Sequence, residues 1–274
     1  MSSKKPKILL TNDDGIESPG LWAAAATLAE IGDLTIAAPR SQATSASRSM
    51  PITSDGIIEK RAIQYQGKTW TAYAVGGSPA QVVIHSLEEI LSEPPDLVVS
   101  GINYGQNVGY SSSVSGTVGA AIEAAASGIP GLAVSLQVTN MEHVYNHSTS
   151  VDFTAAGFFT AKFARLMLKE QLPFDVDILK VEIPIEATFQ TDWNLVRTAR
   201  HRGWRNAVQR EGNNWATPAR INGGVIIPKP TEIPHDTDVY TLYYEKKVAV
   251  SPLSLDPTSR TKLDELEVRM RNAA

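Results

Sequence analysis

Two adjacent carboxylates stand directly after the first apolar run of the chain, in the sequence Asn12-Asp13-Asp14-Gly15. Neighbouring aspartates repel each other, and Asp and Asn favour turns over strand interiors. At the C-terminal end of a strand, their oxygens could bind a hard divalent cation such as Mg²⁺ or Mn²⁺. The same residues would also suit a polar strand-to-helix turn in which Gly15 supplies a positive φ. The motif by itself is compatible with either a metal site or such a turn.

A segment rich in glycine and serine, residues 100–117, is the second place where the sequence indicates chemistry. Its glycines allow the backbone to approach a ligand closely, and Asn103 could add a neutral oxygen ligand beside the carboxylates. Ser115, Gly116 and Thr117 directly precede an alanine-rich helical segment, where free N–H groups and hydroxyls suit a phosphate. A plain linker is the alternative, but an apolar run and a helix flank the segment closely. The segment therefore predicts an anion site.

Two further segments could contribute to such a site. The loop after Pro39, residues 41–49, carries hydroxyl side chains that could complete a metal or phosphate shell, although loops of this composition are commonly only solvated. Between positions 197 and 220, six arginines are interleaved with two tryptophans, at positions 204 and 215. Glu211 is the single acidic residue in this stretch. The arginines are Arg197, Arg200, Arg202, Arg205, Arg210 and Arg220. This stretch could bind phosphates or stack bases, or it could be a solvated or inter-subunit face.

The elements that must position these residues alternate between strand-like and helix-like segments. The predicted strands are 7–10, 34–38, 97–100, 131–136, 176–185 and 248–251, and the predicted helices are 21–31, 78–91, 118–126, 153–172 and 263–270. Short apolar strands separated by helices of crossover length predict a parallel, doubly wound sheet with helices on both faces. In such a sheet, ligands bind beyond the C-terminal ends of the strands, where the polar segments begin. Residues 186–240 predict an elaborated region without a large core of its own.

The composition narrows the class of protein. The chain has 274 residues and a formal net charge of −4, which argues against a general binder of nucleic acids or membrane surfaces. It contains no cysteine, which excludes disulfides, thiolate catalysis and metal sites built from cysteine. The start of the chain lacks the long apolar region of a signal peptide, and no window reaches the roughly 18–20 apolar residues of a membrane span. We therefore expect a cytoplasmic protein with neither a membrane nor a stable nucleic-acid partner.

Three motifs together resemble the survival protein E (SurE) family of metal-dependent nucleotidases and acid phosphatases. They are ILLTNDDGIESPGL near the N-terminus, PDLVVSGINYGQNVG in the middle, and SGTVGAAIEAAASGIPGLAVSL after it, with weaker similarity continuing to VAVSPL. The resemblance implies a Rossmann-like α/β fold, one divalent metal ion (Mg²⁺ or Mn²⁺), and hydrolysis of nucleoside 5′- and 3′-monophosphates. It also implies a homodimer or homotetramer whose C-terminal segments reach a neighbouring subunit. We accordingly expect one domain over 1–274, in which 1–140 form the core with the active site and 141–274 complete the sheet and supply extensions for oligomerisation.

The resemblance also implies roles for individual residues. Asp13 and Asp14 would both be metal ligands and would also form the catalytic pair. One of them would orient or deprotonate the attacking water, and the sequence does not indicate which. The other implied metal ligands are Asn103 and Thr44, the latter by counting from Pro39, with Ser45 as the alternative after a shift of one residue. The residues implied to hold the phosphate are Asn12, Asn107, Ser115, Gly116 and Thr117.

The chain departs from the family pattern at two places. Gln81 stands where the family has an aspartate in its Gly-Thr-Pro-x-Asp-Cys stretch, and the loop after Pro39 lacks the usual Ser-Gly pair. Reduced activity or altered substrate preference could follow. The main alternative function is a non-catalytic nucleotide- or RNA-binding protein that uses the same phosphate cradle and the arginine-rich stretch. A second alternative is a nucleotide-binding transferase. The paired carboxylates favour hydrolysis, because carboxylates repel phosphate unless a cation lies between them.

Overall fold

The computed structural model describes residues 5–202 and 204–273, so the basic start of the chain, residues 1–4, lies outside the described residues. The strands are β1 (Lys7–Thr11), β2 (Asp33–Pro39), β3 (Ile58–Tyr65), β4 (Lys68–Val75), β5 (Leu97–Tyr104), β6 (Gly131–Leu136), β7 (Ile178–Ile183), β8 (Trp193–Leu195), β9 (Trp204–Arg210), β10 (Ala219–Val225) and β11 (Val248–Leu253). The helices are α1 (Pro19–Leu28), α2 (Pro79–His85), α3 (Gly116–Ala126), α4 (Met141–Asn146), α5 (Thr154–Lys169), α6 (Asp238–Tyr240) and α7 (Leu263–Asn272).

A nine-stranded sheet runs through the molecule in the order β3-β4-β2-β1-β5-β6-β7-β11-β8. The strands from β4 to β7 are parallel, while β3 pairs antiparallel with β4 and β11 pairs antiparallel with β7. Helices α1 and α5 pack on one face of this sheet, and α2 and α3 pack on the other. The predicted doubly wound, mostly parallel α/β fold is therefore confirmed. The carboxyl ends of β1, β2, β5 and β6 meet at one edge of the sheet.

Both faces of the central strands are buried, which explains why these strands are continuous apolar runs in the sequence. Successive side chains of a strand point to opposite faces. In β1, Leu10 joins the core formed with α1 and α5, whereas Leu9 joins the core formed with α2. In β5, Val99 and Val98 divide in the same way. The strand on which the candidate carboxylates depend is thus fixed by core packing on both sides.

The predicted helices are present, with shifted ends. The one predicted over 153–172 is α5, whose buried Phe159, Phe163 and Met167 follow the helical spacing of an apolar face. The one predicted over 78–91 is α2, which continues as a π-helical turn over Ser86–Ile90. The helical spacing of apolar residues in the sequence thus identified the helices, but it did not determine the residues at which they begin and end.

Two hairpins were absent from the predicted elements. The edge strand β3 mostly alternates half-buried and exposed residues, so it lacks the apolar run that marks the central strands. Its partner β4 is mostly exposed in its first half and is buried at Ala72, Ala74 and Val75. A second hairpin, β9–β10, lies within the elaborated region and forms its own two-stranded sheet. In the part of the chain that the structure describes, no helix has both the length and the apolar character needed to span a membrane.

Candidate metal and phosphate site

Both adjacent carboxylates lie buried at the carboxyl end of β1. Asp13 is 4% exposed and Asp14 is 2% exposed. The Thr117 hydroxyl at the start of α3 donates to Asp13 Oδ1 at 2.6 Å. The backbone N–H of Tyr104 donates to Asp14 Oδ2 at 3.0 Å, and Gln42 Nε2 donates to Asp14 Oδ1 at 3.1 Å. Three separate segments of the chain therefore fix the orientation of the pair.

Burial shifts the proton affinity of this pair strongly. It raises the pKa of Asp13 above its ordinary value, against the hydrogen bonds from Thr117 and Gly116 that lower it. Burial, together with the neighbouring Asp13 charge, raises the pKa of Asp14 to about 8. Two carboxylates in such a place resist simultaneous ionisation unless positive charge lies beside them. The pair is thus electrostatically suited to a cation.

Asn103 lies in β5, the strand next to β1, and lines the same cleft as the carboxylates. Its amide nitrogen donates to the Gly105 carbonyl at 2.7 Å. This bond uses the side-chain nitrogen, so the side-chain oxygen is the atom available to a cation. The pairing of β5 with β6 shifts register between Ser100 and Asn103, at the point where the predicted strand ended and the observed strand continues.

The first turn of α3 lies directly against Asp13. A Cβ built on Gly116 would stand 2.7 Å from Asp13 Cβ and 2.9 Å from Asp13 Oδ2, so only glycine permits this approach. Ser115 is the N-cap residue of α3, and its hydroxyl accepts from the Val118 N–H at 3.2 Å. The start of this helix therefore points its backbone N–H groups at the carboxylate pair. Those of Gly116 and Thr117 bond to Asp13, and that of Ser115 donates to the Ser112 carbonyl at 3.3 Å. A helix N-terminus of this kind also suits a phosphate.

The two predicted phosphate-binding asparagines differ in their surroundings. Asn12 is fully buried, and both polar atoms of its side chain bond to the backbone of Gly15. It therefore forms the turn after β1, which was one of the two readings of this motif. Asn107 lines the cleft, and its side-chain nitrogen donates to the Ser135 hydroxyl at 3.0 Å.

The loop after Pro39 closes over the carboxylates. The Ala43 N–H donates to the Asp13 carbonyl at 2.7 Å, and the Ser47 hydroxyl donates to the Ser113 carbonyl at 2.9 Å. Between these anchors, Thr44 and Ser45 are exposed and line the cleft. Ser45 has a φ of +61°, a value that glycine adopts at lower cost.

Gln81, the departure from the family pattern, has a structural role at the start of α2. Its side-chain oxygen accepts from the Ser78 N–H at 2.9 Å and from the Ser54 hydroxyl at 2.7 Å. The Ser78 hydroxyl in turn accepts from the Gln81 N–H at 3.2 Å, which completes a capping box. Glutamine is well suited to this third position of a helix.

The cleft above the carboxylates has a volume of about 1160 Å³. Asp13 and Asp14 line it, together with residues 198–202 and side chains of the β9–β10 hairpin. The arginine-rich stretch is divided by the fold. Arg200 and Arg202 line the cleft, whereas Arg197 pairs with Asp236 at 3.4 Å, and Arg210 bonds to backbone carbonyls within the hairpin turn. The side chain of residue 204 is outside what the structure describes.

Several polar residues near the cleft were missed by sequence reasoning. Three of them, Lys180, Glu182 and Asp238, are fully buried and bonded to one another or to the loop that follows β5. The available signal was the presence of Lys180 and Glu182 within the apolar run 178–183 of the strand predicted over 176–185. His147 is half-buried and stacks on Tyr104 at 5.9 Å between ring centroids.

The donor set tests whether a metal fits here. No group of three or more histidine, aspartate or glutamate side chains converges anywhere in residues 5–202 and 204–273. The candidate centre is thus two carboxylates supplemented by neutral oxygens from Asn103 and the loop hydroxyls. Oxygen-only donors of low total charge suit Mg²⁺ or Mn²⁺ and do not suit a thiophilic metal. The residues present therefore fit a hard divalent cation.

Comparison with known proteins gives a consistent picture. The family model described as survival protein SurE matches residues 8–206. The 5′-nucleotidase SurE of Methanothrix thermoacetophila is 36% identical over 95% of this chain and 97% of its own. That of Chlorobium phaeobacteroides is 36% identical over 96% of each chain. The crystal structure of the SurE protein from Aquifex aeolicus superimposes with a TM-score of 0.73 at 25% identity, covering 97% of this chain and all of that one.

Proposed function

The chain belongs to the SurE family, and we propose that it is a metal-dependent phosphomonoesterase that hydrolyses nucleoside 5′- and 3′-monophosphates to nucleoside and phosphate. The observation that carries this proposal is the buried carboxylate pair, Asp13 and Asp14, which lies against the N-terminus of α3 and lines the cleft. Because carboxylates and phosphate are both negatively charged, a phosphate can bind beside these side chains only if a cation lies between them. The relatives named 5′-nucleotidase support the choice of substrate class.

We assign the cation to Asp13, Asp14, Asn103 and Thr44. The family has a Ser-Gly pair in the loop after Pro39, and counting from the proline aligns Thr44 with the serine and Ser45 with the glycine. The positive φ of Ser45 supports this register, because it is the conformation that the family's glycine would accommodate. Thr44 rather than Ser45 is therefore our choice for the fourth ligand. When bound, Mg²⁺ or Mn²⁺ would supply positive charge against the phosphoryl group and acidify water at the site.

The phosphate would be held mainly by the start of α3. Ser115, Gly116 and Thr117 stand at the positive end of the α3 dipole, which would stabilise charge that builds up on the phosphate oxygens. The N–H groups of Gly116 and Thr117 bond to Asp13 in the protein without a cation, and the phosphate would share them once a cation neutralises that carboxylate. Asn107 lies within the same cleft and could add an amide donor. Asn12 would act through the turn that it forms after β1, since both polar atoms of its side chain bond to Gly15.

Hydrolysis would proceed by direct attack of water, without a covalent phosphoenzyme. The water oxygen forms a bond to phosphorus as the bond from phosphorus to the nucleoside oxygen breaks, and the leaving oxygen takes up a proton. Either Asp13 or Asp14 would orient this water or accept its proton. The raised pKa values belong to the pair without a cation. A bound cation would favour the ionised form of both carboxylates, and this is the form in which one of them can orient water or accept its proton.

Phosphate release from a panel of nucleoside monophosphates tests the proposal. We expect release with Mg²⁺ or Mn²⁺ and none with EDTA, because the carboxylates alone would repel the substrate. Colorimetric phosphate detection with 5′- and 3′-monophosphates of each base would also rank the substrates. Binding of nucleotide without release in any metal would overturn the proposal and favour the non-catalytic alternative.

Metal binding should also compete with protons at the carboxylate pair. The pKa of Asp14 is raised to about 8 in the folded protein, above the ordinary 3.8, so this group favours folding at low pH and loses that contribution as pH rises toward 8. A cation that binds the ionised pair should restore stability at the upper end of this range. We therefore expect the Mn²⁺-induced increase in Tm to be larger at pH 8 than at pH 6 in thermal melts.

The matched control for this experiment is Asp14→Asn, which cannot ionise at position 14. The variant should lose most of the pH dependence of the Mn²⁺ effect, and subtracting its melts removes the contribution of carboxylates outside the interacting Asp13–Asp14 pair. An Mn²⁺-induced increase in Tm that is independent of pH in the wild type would show that the cation binds elsewhere.

The assembly and location of the protein are further parts of this proposal. The family resemblance supports a homodimer or homotetramer, and a cytoplasmic location is consistent with nucleotide monophosphates as substrates. Sedimentation of the purified protein would distinguish the two assemblies. The domain division at residue 140 remains a prediction, although β7, β8 and β11 of the second half belong to the same sheet as β1 to β6.

A further inference from the structure

Three charged side chains are buried behind residues that line the cleft, and none of them bonds to the carboxylate pair. Lys180, Glu182 and Asp238 each have no exposed surface. Lys180 Nζ lies 2.9 Å from Asp238 Oδ2 and 3.6 Å from Glu182 Oε1. Lys180 and Glu182 are two residues apart on β7 and so point to the same face. We call these three residues the buried triad.

The hydrogen bonds of the buried triad go to backbone groups that form two walls of the cleft. The first wall, residues 106–109, is the loop after β5, and the second wall, residues 198–202, precedes the β9–β10 hairpin. Glu182 accepts from the Asn107 N–H at 2.7 Å, and Lys180 donates to the Asn107 carbonyl at 3.2 Å. Both backbone polar groups of Asn107, its N–H and its carbonyl, are therefore bonded to the buried triad.

Asp238 joins the first wall to the second. One of its oxygens accepts from the Gly109 N–H at 2.9 Å, and the other accepts from the Ala199 N–H at 2.8 Å. The walls also contact each other directly, since the Tyr110 N–H donates to the His201 carbonyl at 2.8 Å. A Cβ at Gly109 would lie 2.6 Å from that carbonyl, so the contact leaves no space for a side chain.

The energetics indicate that this arrangement serves more than stability. Desolvating three charges is costly, and a well-packed apolar cluster of the same volume is commonly as stable or more stable. Burial raises the pKa of Glu182 to about 7, so the triad carries one positive charge and two negative charges only when Glu182 is ionised. Backbone N–H groups of the two walls donate to both carboxylates of the triad. Such a network specifies one arrangement of the groups that it bonds.

We propose that Lys180, Glu182 and Asp238 are positioning residues that hold the two walls of the cleft in the geometry that binds the phosphate-bearing substrate. The inference rests on the proposed function, because it takes Asn107 and the second wall as substrate contacts. The metal site should be independent of the triad, since Asp13, Asp14 and Asn103 bond instead to Thr117, Tyr104, Gln42 and Gly105.

The test compares Glu182→Leu with Glu182→Gln. Leucine removes the acceptor for the Asn107 N–H, whereas glutamine keeps one, and in both variants Lys180 retains Asp238 as its partner. For Glu182→Leu we expect the KM for a nucleoside monophosphate to rise about tenfold, with kcat within about threefold of wild type, a size typical of outer-shell contacts. Glu182→Gln should restore KM to within about threefold of wild type. The Kd for Mn²⁺, measured by calorimetry, should change less than about twofold in both variants.

Two further variants separate positioning from general destabilisation. Met167→Ala in α5 removes buried apolar contacts on the opposite face of the sheet and should lower Tm while leaving KM unchanged. Asp238→Asn can accept at only one of the two atoms where N–H groups now donate, so it should raise KM even if the Glu182 variants fold poorly.

A KM for Glu182→Leu that matches the Met167→Ala control would overturn the proposal, as would a parallel loss of Mn²⁺ affinity. Calorimetric binding of inorganic phosphate in the presence of Mn²⁺ provides a second readout. If the wild type releases no phosphate, the proposed function fails, whereas weaker phosphate binding by Glu182→Leu than by Glu182→Gln would still support the positioning role. Equal phosphate binding by these two variants would contradict it.

Discussion

Asp14→Asn should reduce phosphate release from nucleoside monophosphates by about 1,000-fold or more, because it removes a negative charge that would hold the cation. The fold should survive. In the metal-free protein, burial and the Asp13 charge raise the pKa of Asp14 to about 8, so near neutral pH its carboxyl is largely protonated and an amide has nearly the same shape and charge. Tm in EDTA at pH 8 should equal or exceed that of the wild type, because the substitution removes a repulsion between buried charges.

The control for this variant is Asp33→Asn, which makes the same chemical change at the exposed start of β2. It should leave both the activity and the response to Mn²⁺ unchanged. Steady-state phosphate release, combined with calorimetric titration of Mn²⁺, provides the comparison. Turnover by Asp14→Asn at saturating Mn²⁺ that approaches wild type would rule out the metal assignment.

Gly116→Ala should produce the second-largest effect, from one added methyl group. A Cβ at this position would stand 2.7 Å from Asp13 Cβ and 3.1 Å from Pro79 Cγ, so either Asp13 or the first turn of α3 must move. A displacement of this kind changes the distance between the carboxylates and the N–H groups that would hold the phosphate. We expect kcat/KM to fall about 100-fold, comparable to the loss of a preorganised backbone donor.

Gly157→Ala in α5 is the matched control, since it makes the same substitution inside another helix. Its nearest new neighbour would be Thr27 Cγ2 at 3.1 Å, a side-chain atom that can shift. Alanine also has the higher helix propensity, by roughly 1 kcal/mol, so this variant should keep its activity and much of its stability. A similar loss of kcat/KM in both variants would contradict the importance of the close approach at Gly116.

The sequence alone determined the fold class, because the relevant signals are local. An apolar run of four or five residues followed by turn formers marks a strand that is buried on both faces, and helical spacing marks the crossover segments. The alternation of strands and helices then predicts that the strands are parallel. In a parallel sheet, the polar ends of β1 and β5 fall at the same edge. The hairpin β3–β4 escaped this reasoning because an edge strand is half exposed and carries no apolar run.

The contacts within the site could be decided only by the tertiary structure, because they join residues that are distant along the chain. Thr117 bonds to Asp13 across 104 positions, and Lys180 bonds to Asp238 across 58 positions. No periodicity encodes such pairs, since neither local propensity nor spacing depends on the partner. Motif spacing could nominate Asp13 and Asn103 as ligands, but the burial that raises the pKa of the carboxylates comes from the packing of β1, β5 and α3 around them.

The arginine-rich stretch shows the same distinction. Its six arginines form one cluster in the sequence, yet the fold sends Arg200 and Arg202 to the cleft and pairs Arg197 with an aspartate outside it. Composition predicts how much charge a segment carries, whereas the direction of each side chain depends on strand pairing and on the walls that the buried triad holds. The polar strand Lys180–Glu182 had a readable signal, two charges in an apolar run, but its partners are known only once the chain is folded.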